Sequence, residues 1–369
     1  MNSEISPIRV LVKALCLFVA INILYAVINP QRVKVSGYNV VFPGRTRLPF
    51  GIKGDPYTVA VDHVDAMFAS HLISAPKARD EYRIALIGDS SIWGEDLGAY
   101  DVISEQWNKL NLQCGKLWIR AYNLGYPHPS AIKDLVILDK AIDYEPDMIV
   151  WFVTLNTLFS QRLNPFLVAN RERATTVLNT YNINFRQSRT LVETQPNFYE
   201  KTLIGRRSNL ARQIKLRVLG IIWTATGADT NTLAPDERPD FYVDDDPRYR
   251  NLETPADLRP MLQLSALAAG YQLADSIPVL IVNEPIFIVD DADTRVRYNA
   301  GYPRWAFDRY REALAAEAQN AGWDYLDLWN AVPREYFSDA GLHLSIEGER
   351  QLVQQINPAV QSIACNPKP

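Results

Sequence analysis

Three features of the sequence predict an α/β fold on a doubly wound, parallel sheet of about five strands. Short apolar runs recur near residues 83–88, 117–124, 147–155, 279–282 and 323–328. They carry the near-continuous Val, Ile and Leu content of strands covered on both faces. Stretches of helical apolar spacing stand between them, which is the alternation that builds parallel sheets. With 369 residues and 47% hydrophobic content the chain can bury a sizeable core, so a disordered protein is excluded.

The elements follow in chain order. Residues 8–28 (IRVLVKALCLFVAINILYAVI) form an apolar run interrupted by Arg9, Lys13 and Asn22. About 20 helical residues cross a hydrocarbon core of roughly 30 Å, and Arg9 and Lys13 can reach back to the near surface, so a single-pass anchor is expected. A cleaved leader is the alternative, although no small-x-small pattern follows the run. Basic residues flank it on both sides (Arg9 and Lys13 before, Arg32 and Lys34 after), so the charge rule leaves sidedness open. Residues 29–58, with PGRTRLPFGIKGDP, read as an extended connector.

The sheet then begins with RIALIG at 83–88, followed by a helical stretch from about Ser91 to Leu112 and a second strand at 117–124. Ser130 is placed to cap a helix over 130–142, and 147–155 forms the third strand. From 160 to 254 the rhythm stops. This insertion holds a basic amphipathic segment, KTLIGRRSNLARQIKLRVLGIIW, and an acidic loop, DERPDFYVDDDPRYR. Helices at about 255–275, 304–321 and 346–363 alternate with the last two strands. The predicted organisation is an anchor over 1–30, a connector over 31–79, an α/β domain over 80–159 and 255–369, and the insertion over 160–254.

Charge excludes one class of partner. With 38 basic and 42 acidic residues the chain has no overall attraction for nucleic acid. Asp244, Asp245 and Asp246 lack the spacing of a calcium loop, and no CxxC pair, phosphate-binding glycine loop or G-x-S-x-G elbow occurs. Neither a metal nor a cofactor is expected. Of three cysteines Cys16 lies in the anchor. Cys114 precedes the second strand and Cys365 follows the last helix, at one end of the predicted sheet, so a disulfide between them is geometrically allowed; two separate thiols are the other reading.

Ligands of open α/β sheets bind at the carboxyl ends of the strands. Four features fall there. Gly88-Asp89-Ser90-Ser91 places Ser90 at a helix N-terminus, where free N–H groups and the helix dipole favour a developing negative charge. Alone, such a tripeptide also serves as a helix cap. Gly125, in Asn123-Leu124-Gly125-Tyr126-Pro127, offers a backbone N–H with no side chain in the way, and Asn156 offers an amide after the third strand. Asp339 and His343 stand between the last strand and the terminal helix. His128, in the loop after Gly125, suits a substrate contact; His63 and His71 precede the sheet and read as structural.

In this order and placement the features resemble the SGNH/GDSL hydrolase superfamily, over roughly residues 80–157 and 277–363. The resemblance implies a flavodoxin-like sheet and acyl-transfer chemistry without a cofactor. Ser90 is then the nucleophile and His343 its base, oriented by Asp339. Ser90 and Gly125 backbones and the Asn156 side chain are then the oxyanion donors. Two positions depart from the family pattern. Thr154 and Thr157 replace the usual Gly and Asp around Asn156, and Asp339 and His343 lie four apart where the family has three. Either a bulge absorbs the extra residue, or Asp339 stays out of reach and a Ser–His dyad or an inactive relative is left.

Anchored members of the superfamily serve O-acylation of cell-surface polysaccharides, often beside a multi-spanning acyltransferase. The resemblance therefore implies a membrane-anchored esterase or O-acyltransferase with an extracytoplasmic domain, acting on acyl esters of glycans or lipids. The alternative is an inactive scaffold subunit of a membrane complex. The basic segment has two readings also: an ordinary helix whose apolar side packs on the sheet, or a membrane-surface helix.

Overall fold

The structure is a computed structural model that describes residues 6–28, 36–51, 61–193, 196–226, 257–289, 296–299 and 301–366. The acidic loop with Asp244–Asp246 and parts of the expected connector lie outside these residues.

Each of the five apolar runs forms a strand within two residues of its expected limits. They are β1 (Glu81–Ile87), β3 (Leu117–Asn123), β4 (Met148–Val153), β5 (Val279–Asn283) and β8 (Asp324–Asp327). All are parallel, in the order β3-β1-β4-β5-β8, with β1 at the switch point between β3 and β4. Three short strands add to them: β2 (Gln113–Cys114) pairs antiparallel with β3 at the edge, and β6 (Arg297–Asn299) with β7 (Tyr302–Pro303) forms a hairpin before the next helix.

The alternation along the strands explains the two cores. Ala85 and Ile87 of β1 and Ile149, Trp151 and Val153 of β4 face one layer of helices, while Ile84, Leu86, Met148, Val150 and Phe152 face the other. The first layer holds helices Ala131–Ala141, Leu264–Ala274 and Arg304–Ala321, and the second holds Ile103–Asn108 and Ile346–Cys365. The disulfide Cys114–Cys365 ties the edge strand β2 to the end of the terminal helix.

Three expectations are corrected. The helix expected over 91–112 is two pieces, Ser90–Trp93 and Ile103–Asn108, because Gly94 turns left-handed at φ 84° and Asp96 at 66°. Pro260 sits in a single tight turn, Arg259–Met261, so the next helix starts only at Leu264. The expected connector is in part core: Leu48, Val61, Met67, Phe68 and Ile73 are buried, and Val64–Ser70 is helical. The insertion shares that core too, through Phe166, Leu167, Val177 and Leu191.

The basic segment forms Arg207–Lys215, one π-helical turn over Leu216–Gly220 and Ile221–Thr226. Its apolar residues divide. Leu216 and Ile221 are buried, but Ile214, Val218, Leu219 and Ile222 are exposed. The N-terminal helix, Pro7–Ile28, is exposed on nearly every side and buries only Asn22 and Ala26.

Candidate active site

β1 ends at Ile87, and the chain turns through Gly88 and Asp89 into the short helix that Ser90 opens. Asp89 caps that helix. Its Oδ1 accepts from the N–H (3.2 Å) and hydroxyl (3.1 Å) of Ser91, and its Oδ2 accepts from Thr157 Oγ1 (3.3 Å). Thr154 and Thr157 make a reciprocal capping box around the helix Leu155–Phe159, which carries Asn156 in its first turn. The two threonines that depart from the family pattern therefore hold the Asn156 helix and tie it to the residue before Ser90. Asn156 Nδ2 lies alongside Gly301, at the hairpin of β6 and β7.

The turn is braced from below by groups that spacing alone does not reveal. Lys133, fully buried, donates to the carbonyls of Gly88 (2.9 Å) and Tyr126 and pairs with Asp134 at 2.8 Å. It thereby joins the loop after β1 to the loop after β3. Glu284, at the end of β5, is buried and hydrogen-bonded to the Ser91 hydroxyl. Burial and then the nearby charge of Asp89 push its pKa well above the carboxylate range. A protonated Glu284 can donate to Ser91 Oγ, which in turn donates to Asp89. The signal that could have found it is Asn283-Glu284-Pro285 at a strand's carboxyl end.

Opposite Ser90 stands the loop 338–343. It is closed by the bridge between Phe337 and Leu344 and by Ser338 N–H on the His343 carbonyl (2.9 Å). The loop wraps around one carboxylate. Asp339 Oδ1 accepts from the N–H groups of Gly341 (2.8 Å) and His343 (3.1 Å), and Asp339 Oδ2 meets His343 Nδ1 at 2.6 Å. The turn absorbs the extra residue between the two, so Asp339 reaches the imidazole across a four-residue spacing. His343 Nε2 lies 2.9 Å from Ser90 Oγ. Segments 253 residues apart thus meet at one rim.

The charges around His343 favour imidazolium. Burial by itself would lower its pKa, but the hydrogen bond and charge of Asp339, followed by the charges of Glu95 and Asp89, raise it to about 9. Burial also works to raise Asp339, and the bond to His343 outweighs it, so Asp339 stays below its ordinary value. Glu95, half exposed, brings Oε2 within 3.4 Å of His343 Nε2. It follows Gly94, whose left-handed turn aims it back at the site.

Gly125 is a correction. Its N–H donates to Asn123 Oδ1 at 3.0 Å and is not available to an oxyanion. Its lack of a side chain serves packing: a Cβ there would lie 2.5 Å from Trp93 N. Asn123 completes the tie by donating from Nδ2 to the Ile92 carbonyl at 2.5 Å, so the amide locks the loop to the short helix that Ser90 opens. His128 is exposed on the rim, at a left-handed φ of 79° and edge-on to Phe50. Partial burial and the charge of Lys133 lower its pKa. His71 is buried with Nδ1 accepting from Ile73 N–H, a structural role as expected. Among the described residues no cluster suited to a metal occurs.

An alcohol, an imidazole and a carboxylate in hydrogen-bonded series at the carboxyl end of a parallel sheet can activate the alcohol for acyl transfer. The strand order and the meeting of Ser90, His343 and Asp339 fit what the sequence resemblance to the SGNH/GDSL superfamily implies. No family model and no curated protein matches the sequence. Solved structures do resemble it. A carbohydrate acetylesterase family member from Sinorhizobium meliloti is 12% identical with a TM-score of 0.35, over 77% of this chain and 98% of that one. A lipase/acylhydrolase from Enterococcus faecalis is 15% identical with a TM-score of 0.34, over 75% and 96%. A member of the lipolytic protein G-D-S-L family from Veillonella parvula is 12% identical, also at 0.34, over 75% and 96%.

Proposed function

We propose that the chain is a membrane-anchored serine esterase or O-acyltransferase working through an acyl-Ser90 intermediate. The observation that carries this is the series Ser90 Oγ, His343 Nε2 (2.9 Å) and His343 Nδ1, Asp339 Oδ2 (2.6 Å). With Nδ1–H held by Asp339, neutral His343 keeps its Nε2 lone pair for the Ser90 proton. Ser90 Oγ attacks the ester carbonyl carbon and its proton passes to Nε2. The tetrahedral intermediate collapses as Nε2–H protonates the departing alcohol. Water or a sugar hydroxyl then attacks the acyl-serine, gives its proton to Nε2, and Ser90 recovers it. Ser90 N–H, an orphan donor of the helix's first turn, and the Asn156 amide are the oxyanion donors in this reading.

Two features support a location at the outer surface of a membrane. The N-terminal helix is long and apolar enough to span a bilayer. The Cys114–Cys365 disulfide suits an oxidising compartment. A glycan or lipid ester is the substrate class, and a multi-spanning acyltransferase is the partner such a protein would serve.

A fluorophosphonate probe on the full chain in detergent tests the chemistry. Labelling is expected in the wild type, absent in Ser90→Ala and reduced roughly 10³-fold or more in His343→Ala. Folded wild-type protein that takes up no label would overturn the proposal in favour of the inactive scaffold.

A further inference from the structure

We propose that the segment from Phe198 to Ile222 is a second membrane contact, lying on the bilayer surface beside the helix that crosses it. The proposal rests on the anchor reading above and adds an orientation to it. The first observation is Asn22. It interrupts the apolar run, and an unpaired amide in hydrocarbon costs several kcal/mol. Here it is satisfied: Nδ2 donates to the Phe18 carbonyl (2.9 Å) and Oδ1 accepts from Ile204 N–H (3.2 Å). The asparagine is thus the point where the insertion grips the anchor.

The grip also sets a depth. Asn22 stands six residues before Ile28, the last of the helix, which at 1.5 Å per residue is about 9 Å along the axis. Interfacial helices bury their apolar side about 5–10 Å into the headgroup region. Ile204 therefore lies level with the interface, and exposed Phe198 and Tyr199 stand just before it, as aromatic residues do at membrane boundaries.

The second observation is the helical stripe. Ile214, Val218 and Ile222 follow one another at intervals of four, so they share a face, and they are 53%, 56% and 51% exposed. A four-residue interval is not an artefact of loose packing, because the opposite side is firmly docked. Leu216 and Ile221 are buried, and Tyr38 donates its hydroxyl to the Leu216 carbonyl (2.9 Å). Tyr38 opens the turn in which Val40 and Val41 are 79% and 74% exposed, shortly after the chain leaves the anchor. Exposed Arg207 provides attraction for anionic headgroups, while Arg212 pairs with Asp62 on the docked side. A bilayer held at this edge by the N-terminal helix covers these apolar groups without a separate binding step.

The test uses the full chain with Cys16→Ser in phosphatidylcholine–phosphatidylglycerol vesicles, labelled with an environment-sensitive fluorophore at one introduced cysteine. The sites are Val218→Cys on the stripe, Leu110→Cys on the far side as control, and Leu17→Cys in the anchor. Lipids bearing a nitroxide near the headgroup are expected to quench position 218 about twofold or more, at interfacial depth, and to leave 110 unquenched. Deep nitroxides are expected to quench position 17. If 17 is quenched and 218 behaves like 110, the surface contact is wrong and the anchor stands. If 17 is unquenched, the anchor fails and the contact with it. A blue-shifted but unquenched 218 means that protein covers the stripe, and it also overturns the proposal.

Discussion

On the proposed acyl-transfer chemistry, Glu95→Gln is expected to speed ester cleavage at neutral pH, although it removes a charged group at the site. With His343 near pKa 9, only ~1% of the imidazole is the free base at pH 7. Two unit charges separated by the 3.4 Å between Glu95 Oε2 and His343 Nε2 interact by about 1.2 kcal/mol at the dielectric of water, or roughly 0.9 pK unit. Glu95 is half exposed, and screening lowers this to about half a unit or a little more. The free-base fraction at pH 7, and kcat/KM with it, then rises roughly three- to fourfold. The assay is kcat/KM for p-nitrophenyl acetate from pH 6 to 10. The rising limb should move to lower pH while the alkaline plateau stays near the wild-type level. Asp339→Asn sharpens the comparison, because it lowers the same limb but also loses the tautomer, costing about 10⁴-fold at the plateau. An unmoved limb in Glu95→Gln, or a plateau that collapses with it, would refute the assignment of Glu95 as a charge acting on His343.

Three further outcomes follow from the same geometry. The folded pKa of His343 lies above its ordinary 6.5, so its pairing with Asp339 stabilises the fold fully below pH 6.5 and is lost as pH rises through about 9. The thermal midpoint should therefore fall between pH 7 and 10, and a pH-independent midpoint over that window counts against the pair. Lys133→Met should cost about 3–5 kcal/mol in denaturant unfolding, because it strands the buried Asp134 carboxylate, while Lys133→Met with Asp134→Leu should recover much of it. Equal loss in single and double variants would show that the carbonyl contacts, not the ion pair, dominate. Cys365→Ser opens a cross-link spanning 251 residues and should cost about 4–5 kcal/mol, measured as the shift in unfolding midpoint against the oxidised wild type.

The strands were legible because each is buried on both faces, which forces a short, continuous apolar run that little else in a sequence imitates. Ser90 and His343 could be picked out in the sequence because they stand on the carboxyl side of such runs, and the fold brings them to 2.9 Å. Gly125 was misjudged for a physical reason: the donor capacity of an N–H is visible in sequence, but the acceptor that takes it, Asn123 Oδ1, depends on how one loop folds. Asp339 and His343 show the converse. Their spacing departs from the family, and only the turn around the carboxylate brings them to 2.6 Å.

Local composition and periodicity by themselves determined the parallel sheet, the apolar N-terminal helix and the positions where an alcohol and an imidazole could stand. The tertiary structure decided which charges face them. Lys133, Glu284 and Glu95 act on the site through contacts made across the fold, and a side chain's pKa answers to neighbours in space. Chain order records the residues that the backbone must place, whereas the electrostatic field at Ser90 is a sum over groups that only folding brings within a few ångströms.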